Sequence, residues 1–177
     1  PYTTLFRSWT DLEIPSTKLG NKGILFSGIG WYTRLEFPYL NNIMEQGEYV
    51  HIEQAILKIY PEVGTYSDYN VLPDSIFLYI ADENNVVTDA VKDYLGDEEQ
   101  SGKLIKDDLF FGNTYYYFDV SQFMQKELGA SGKNKHNLQL VFNSDDYTKT
   151  LKNMTFSDSN GQFPITLQLN YKIYESY

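Results

Sequence analysis

The chain has no cysteine among its 177 residues, so it holds no disulfide framework, no thiolate zinc site and no cysteine nucleophile. It has no hydrophobic run near the about 18 residues of a membrane-spanning helix. Basic residues are few and scattered. Fourteen Lys and Arg stand against 24 Asp and Glu, a formal charge of −10, and no clustered cationic footprint of the kind nucleic-acid binders need is visible. This argues against nucleic acid as a partner, and the acidic exterior fits an exported protein or one that meets cations. Only two histidines occur, His51 and His136. Neither is accompanied by a His-Glu-x-x-His pair or a Gly-x-Ser-x-Gly elbow.

Aromatic side chains are abundant. Sixteen Tyr, 11 Phe and two Trp bring the aromatic share to 16%, within an apolar content of 42%. Such rings supply burial that aliphatic residues would otherwise provide, and they favour sheets over helices. A chain of this length fits one domain, residues 1–177, able to bury roughly 70% of its unfolded surface.

Tyr2 to Trp9 reads as a short edge strand. Ile24 to Ser27 and Trp31 to Phe37 read as strands, the second with Trp31, Thr33, Leu35 and Phe37 on one face. Pro38 ends pairing, and Tyr39 to Gln46 reads as a short helix. The clearest strand is Val50 to Tyr60, with Ala55, Leu57 and Ile59 toward the core and Ile56, Lys58 and Tyr60 away from it. A polar loop through Gly64, Asp68 and Asn70 leads to a second strand, Ser75 to Ala81, which stops at Asp82-Glu83-Asn84-Asn85. Residues 82–113 read as a long insertion. Its stretch Val86 to Leu95 carries Val87, Ala90, Val91 and Tyr94 at helical spacing.

The most telling segment runs from Tyr115 to Leu128, where the apolar period switches from strand-like to helical. Asp119 stands where a helix cap belongs, and Val120, Phe123, Met124 and Leu128 share one helical face closed by Gly129. Three further strands follow, Asn137 to Phe142, Leu151 to Phe156 and Ile165 to Tyr171, with Asn160-Gly161 as a hairpin signal between the last two. About eight strands with irregular connections and two or three short helices predict an all-β fold, a jelly-roll-like antiparallel β-sandwich.

The order Ile52-x-x-Ala55-x-Leu57-x-Ile59-Tyr60, then Leu78-Tyr79 with its Asp/Asn-rich stop, Tyr117-Phe118-Asp119-Val120-Ser121, Leu138-Gln139-Leu140 and Ile165-Thr166-Leu167-Gln168-Leu169-Asn170-Tyr171 resembles the C-terminal part of a Bacteroidetes surface lipoprotein family. That family is domain of unknown function family 4270. The resemblance covers roughly residues 50–177 and rests on apolar patterns. It implies export, a lipid anchor upstream of Pro1 as the sole link to a membrane, and a place at the outer membrane surface or in the periplasm. It brings no active site. The chain, which opens without Met or a signal peptide, is then expected to be the C-terminal part of a longer lipoprotein.

The function expected is a non-enzymatic binding module, for a glycan in the leading reading. Exposed rings on which sugar faces stack are the feature required, and Tyr66, Tyr69 and Tyr147 in the polar loops are the candidates. An alternative is a structural or adhesive envelope subunit contacting another envelope protein through its sheet edges. Third comes a glycoside hydrolase-like enzyme, for which Asp107, Asp108, Asp119 and Asp145 are candidate carboxylates without specific spacing. No cofactor is expected beyond a structural calcium, whose candidate oxygen ligands are Asp82, Asn84, Asp145 and Asp146 in loops without EF-hand spacing.

Overall fold

The computed structural model describes residues 13–46, 49–92, 98–107, 109, 113–129, 135–143, 146, 149–158 and 162–174. Among them, in chain order, are β1 (Lys22–Phe26), β2 (Thr33–Leu35), β3 (Tyr49–Ile59), β4 (Ser75–Ala81), β5 (Val87–Ala90), β6 (Ser101–Ile105), β7 (Tyr115–Asp119), α1 (Ser121–Gly129), β8 (Asn137–Val141), β9 (Asn153–Ser157) and β10 (Thr166–Tyr174). Three short 3-10 helices precede β3.

The fold is an all-β antiparallel sandwich with minor helices. A two-stranded sheet joins β1 to β9, and a larger sheet runs β10-β3-β7-β6-β4-β8-β2. Strand β5 takes the half of the β4 edge that β6 leaves open, since β6 pairs with Ser75 to Phe77 and β5 with Tyr79 to Ala81. One hydrophobic cluster joins the inner faces. The large sheet gives Leu57, Ile59, Ile76, Leu78, Tyr116, Phe118, Leu138 and Leu140; the small sheet gives Leu25, Met154 and Phe156; α1 gives Phe123, Met124 and Leu128.

Strand β3 shows how the pattern is carried. Ala55, Leu57 and Ile59 are fully buried, as the alternation predicts. Val50 and Ile52 are buried as well, although they belong to the opposite parity. The pairing with β10 explains this, because Asn170 faces Gln54 while Tyr171 faces Ile52, leaving Glu53 as an extra residue. A β-bulge there shifts the phase and keeps both halves of the strand on the core.

Where β7 ends, α1 takes over its role beside β3. The Val120 N–H donates to the Ala55 carbonyl at 2.8 Å. The Ala55 N–H then donates to Ser121 Oγ at 2.8 Å and the Ile52 N–H to Gln125 Oε1 at 2.7 Å. Two side chains one helical turn apart thus satisfy strand N–H groups that β7 no longer reaches. On the helix's other end, the buried Glu127 carboxylate accepts the Lys135 N–H at 3.0 Å and pairs with His136 Nδ1 at 2.6 Å, fixing the entry to β8.

Several local expectations change. Val86 to Leu95 is not a helix in its described part: Val87–Ala90 is β5, whose β-branched residues complete the free edge of β4. The stretch expected as an insertion thereby contributes β5 and β6 to the main sheet. The last two strands form no hairpin with one another, because β9 pairs with β1 and β10 with β3. Asn160 and Gly161, like the expected Tyr2 to Trp9 strand, lie outside the described residues. Only Thr33–Leu35 of the Trp31 to Phe37 run is strand.

Candidate functional site

The outer face of the large sheet carries a set of polar and aromatic side chains in register. Alternation places Lys58 and Tyr60 of the β3 run, Tyr115 and Tyr117 of β7, Lys103 and Ile105 of β6, and Thr166 and Gln168 of β10 away from the core, since their neighbours Leu57, Ile59, Tyr116, Phe118 and Gly102 are buried. The registers align these residues. Lys58 faces Thr166 on one side and Tyr117 on the other, Tyr115 faces Ile105, and Lys103 faces Ser75. Leu104 faces Tyr116, which puts Lys103 opposite Tyr117. One cross-strand row therefore reads Thr166, Lys58, Tyr117, Lys103, Ser75.

A row of rings lies alongside. The Tyr60 and Tyr115 centroids are 5.6 Å apart, and Tyr60 and Phe163 are 6.4 Å apart. Lys58 Nζ stands 5.0 Å from the Tyr115 centroid, within cation–π range. Tyr117 is 46% exposed and Ile105 39% exposed. Phe163 also lines a shallow cleft of about 200 Å³ that includes Lys22, Glu62 and Gln162. In it Glu62 Oε1 binds Lys22 Nζ at 2.8 Å, while Glu62 Oε2 is buried and without a hydrogen-bond partner among the described residues.

The residues singled out from sequence are placed elsewhere. Tyr66 is partly buried, packed against the core with its hydroxyl buried. Tyr69 is fully exposed at the corner of a tight turn closed by reciprocal Ser67 and Asn70 backbone hydrogen bonds. Tyr147 lies outside the described residues.

The calcium candidates do not converge in their described part. Asp82 Oδ1 accepts the N–H groups of Asn84 and Val86, both at 2.9 Å, organising the turn between β4 and β5. Asp146 is buried and binds Lys152 Nζ at 2.9 Å. Because Ala81 faces Asn137 and Phe77 faces Val141, Asp82 and Asp146 sit at opposite ends of the β4–β8 ladder. Asp145 is outside the described residues, and no group of three His, Asp or Glu suited to a metal occurs among those described.

Among the carboxylates weighed for hydrolysis, Asp107 holds the Leu109 N–H and the Asn113 amide at the start of β7, and Asp119 Oδ1 accepts the Ser121 N–H at its end. Five strand residues separate them, about 16 Å, against the roughly 5–9.5 Å of a glycosidase pair. Asp108 and Asp145 are outside the described residues.

The ring face had a signal in the sequence, namely Lys58 and Tyr60 at alternate positions of one strand and Tyr115 and Tyr117 of another. What joins them is the β3–β7 register, a pairing across more than fifty residues that local patterns do not encode. No protein-family model matches this chain, and neither a curated protein nor a solved structure does.

Proposed function

We propose that this chain is a non-enzymatic binding module of an exported bacterial surface lipoprotein, and that its ligand is a glycan. The observation that carries the reading is the line of rings Phe163, Tyr60 and Tyr115, with Tyr117 exposed beside it, on an outward sheet face. Sugar rings present an apolar face that stacks on aromatics, and their hydroxyls take amides and carboxylates at the margin. Gln168 and Thr166, exposed on the same face, supply such polar groups here. A place at the outer membrane surface or in the periplasm, through a lipid anchor upstream, is part of the same proposal and rests on the resemblance in residues 50–177.

Affinity electrophoresis against a panel of polysaccharides tests it. Retardation by a glycan, weakened in Tyr60→Ala and Tyr117→Ala variants that keep their circular dichroism, is the expected result. Free migration on every polymer overturns the glycan assignment.

A second reading has its own observation. Strand β10 is nine residues long and ends the large sheet, with no partner on its outer edge among the described residues. Ile173 and Tyr174 are exposed near its end, and Tyr174 packs on Tyr49 at 5.8 Å. An edge of this length accepts an added strand from another envelope protein. Sedimentation of the chain with extracts of the outer membrane, compared with an Asn170→Pro variant, separates this role from the first.

A further inference from the structure

The charge on the ring face narrows the ligand. In a chain of formal charge −10, carboxylates outnumber ammonium groups, and three described lysines are held in ion pairs. Lys22 pairs with Glu62, Lys152 with Asp146 and Lys172 with Glu53. Lys58 and Lys103, like Lys18, Lys92, Lys126 and Lys135, have no ion-pair partner among the described residues, and of these they are the two that flank Tyr117 in the cross-strand row. Asp119, the acid that shares this face on β7, has its carboxylate engaged by Ser121. The face is thus a cationic, aromatic patch on an acidic protein.

Its spacing suits one charged ring. Strands β3 and β6 flank β7, so Lys58 and Lys103 are two strand spacings apart, about 10 Å between backbones, with the exposed Tyr117 ring midway. Both stems are long and flexible, and the ammonium heads can close on a single anion above Tyr117. A neutral sugar would gain nothing from the two charges, and a polyanion without a stacking face would gain nothing from the rings.

We infer that this face binds an anionic polysaccharide, with a sugar ring stacked on Tyr117 and its carboxylate or sulfate held between Lys58 and Lys103. The inference rests on the glycan-binding reading above and adds the ligand's charge. Uronate and sulfated sugars share this chemistry, and separate probes distinguish them.

The test uses the whole chain in native affinity gels containing polygalacturonate, dextran sulfate, or the neutral polymers dextran and xylan, at low and high salt. Retardation by the uronate polymer identifies the carboxylate, retardation by the sulfated one identifies the sulfate ester, and either supports the inference. The Lys58→Gln/Lys103→Gln double variant is expected to weaken binding about tenfold or more, with a flatter salt dependence. A double variant at exposed lysines off this face, Lys18→Gln/Lys126→Gln, changes the net charge equally and is expected to bind as the parent does. If both double variants weaken equally, the attraction is diffuse and the inference is overturned. Retardation by a neutral polymer that survives Lys58→Gln/Lys103→Gln overturns it too, while leaving the glycan-binding reading standing. Free migration on all polymers removes both. Because both lysines lie on the outer face, thermal melts of the variants are expected to match the parent's, which separates loss of binding from loss of fold.

Discussion

Gly102 lies beneath the ring of Phe118, and a Cβ built on it would stand 2.2 Å from the ring's Cζ. The pair straddles β6 and β7 in the centre of the large sheet, where the absence of a side chain lets the ring lie down against the neighbouring backbone. Gly102→Ala is therefore expected to force the fully buried Phe118 aside and to cost about 1–3 kcal/mol. Gly129→Ala, at the end of α1 with nothing within 4 Å of its Cβ position, is expected to be neutral or stabilising. Urea midpoints of the two variants check the contrast, and equal effects would remove the packing explanation.

The relay from β7 to α1 makes a second prediction. Gln125→Ala leaves the Ile52 N–H without its acceptor, and Ser121→Ala does the same to the Ala55 N–H. Each is expected to cost about 1–3 kcal/mol. The two acceptors hold adjacent stretches of one strand against one helix, so the double variant is expected to lose less than the sum. Additive losses in a double-mutant cycle would mean that the two bonds act independently and that α1 does not dock as a unit.

The same region shows how far the sequence could be read. The core face Ala55, Leu57 and Ile59 and the helical face Phe123, Met124 and Leu128 are legible because strand and helix periods are local properties. The phase shift at Glu53 is not, since a bulge is defined by the partner strand. Val87–Ala90 misleads in a different way. Its residues fit a helical stripe by spacing, yet the open edge of β4 offers them backbone partners, and tertiary context overrides a weak local period. The candidate site suffers the same limit. Tyr66 looks like a free loop aromatic and is partly buried against the core, whereas Tyr60 and Tyr117 look like sheet residues and belong to the outward ring face.

Alkaline pH is expected to loosen the fold through Tyr79. Burial, a hydrogen bond with Glu99 and the charge of that carboxylate push its pKa up to about 12. Burial and the charge of Asp74 raise Tyr116 as well, whose hydroxyl donates to the Pro73 carbonyl at 2.5 Å. In the unfolded chain tyrosines ionise near pH 10, while these two stay protonated in the native state. The native state then holds the extra protons, so the stability they contribute is complete below about pH 10 and is lost as pH rises toward 12. Denaturation midpoints measured across this window are expected to fall less steeply in Tyr79→Phe than in the parent. Parallel slopes would show that Tyr79 titrates normally.

Calcium is expected to leave the described part of the chain unchanged, for reasons visible at Asp82. Its carboxylate already accepts two turn N–H groups, and Asp146, at the far end of the β4–β8 ladder, is neutralised by Lys152. Asp82→Ala should therefore cost about 1–2 kcal/mol by freeing the Asn84 and Val86 N–H groups, and by the same amount in calcium and in chelator. Millimolar calcium at a hundredfold excess over a site's Kd would add about 2.7 kcal/mol, or about 5–10 °C in Tm for a domain of this size. A shift of that order, abolished by chelator and by Asp82→Ala, would place a metal on this turn and replace the hydrogen-bonding account of its carboxylate.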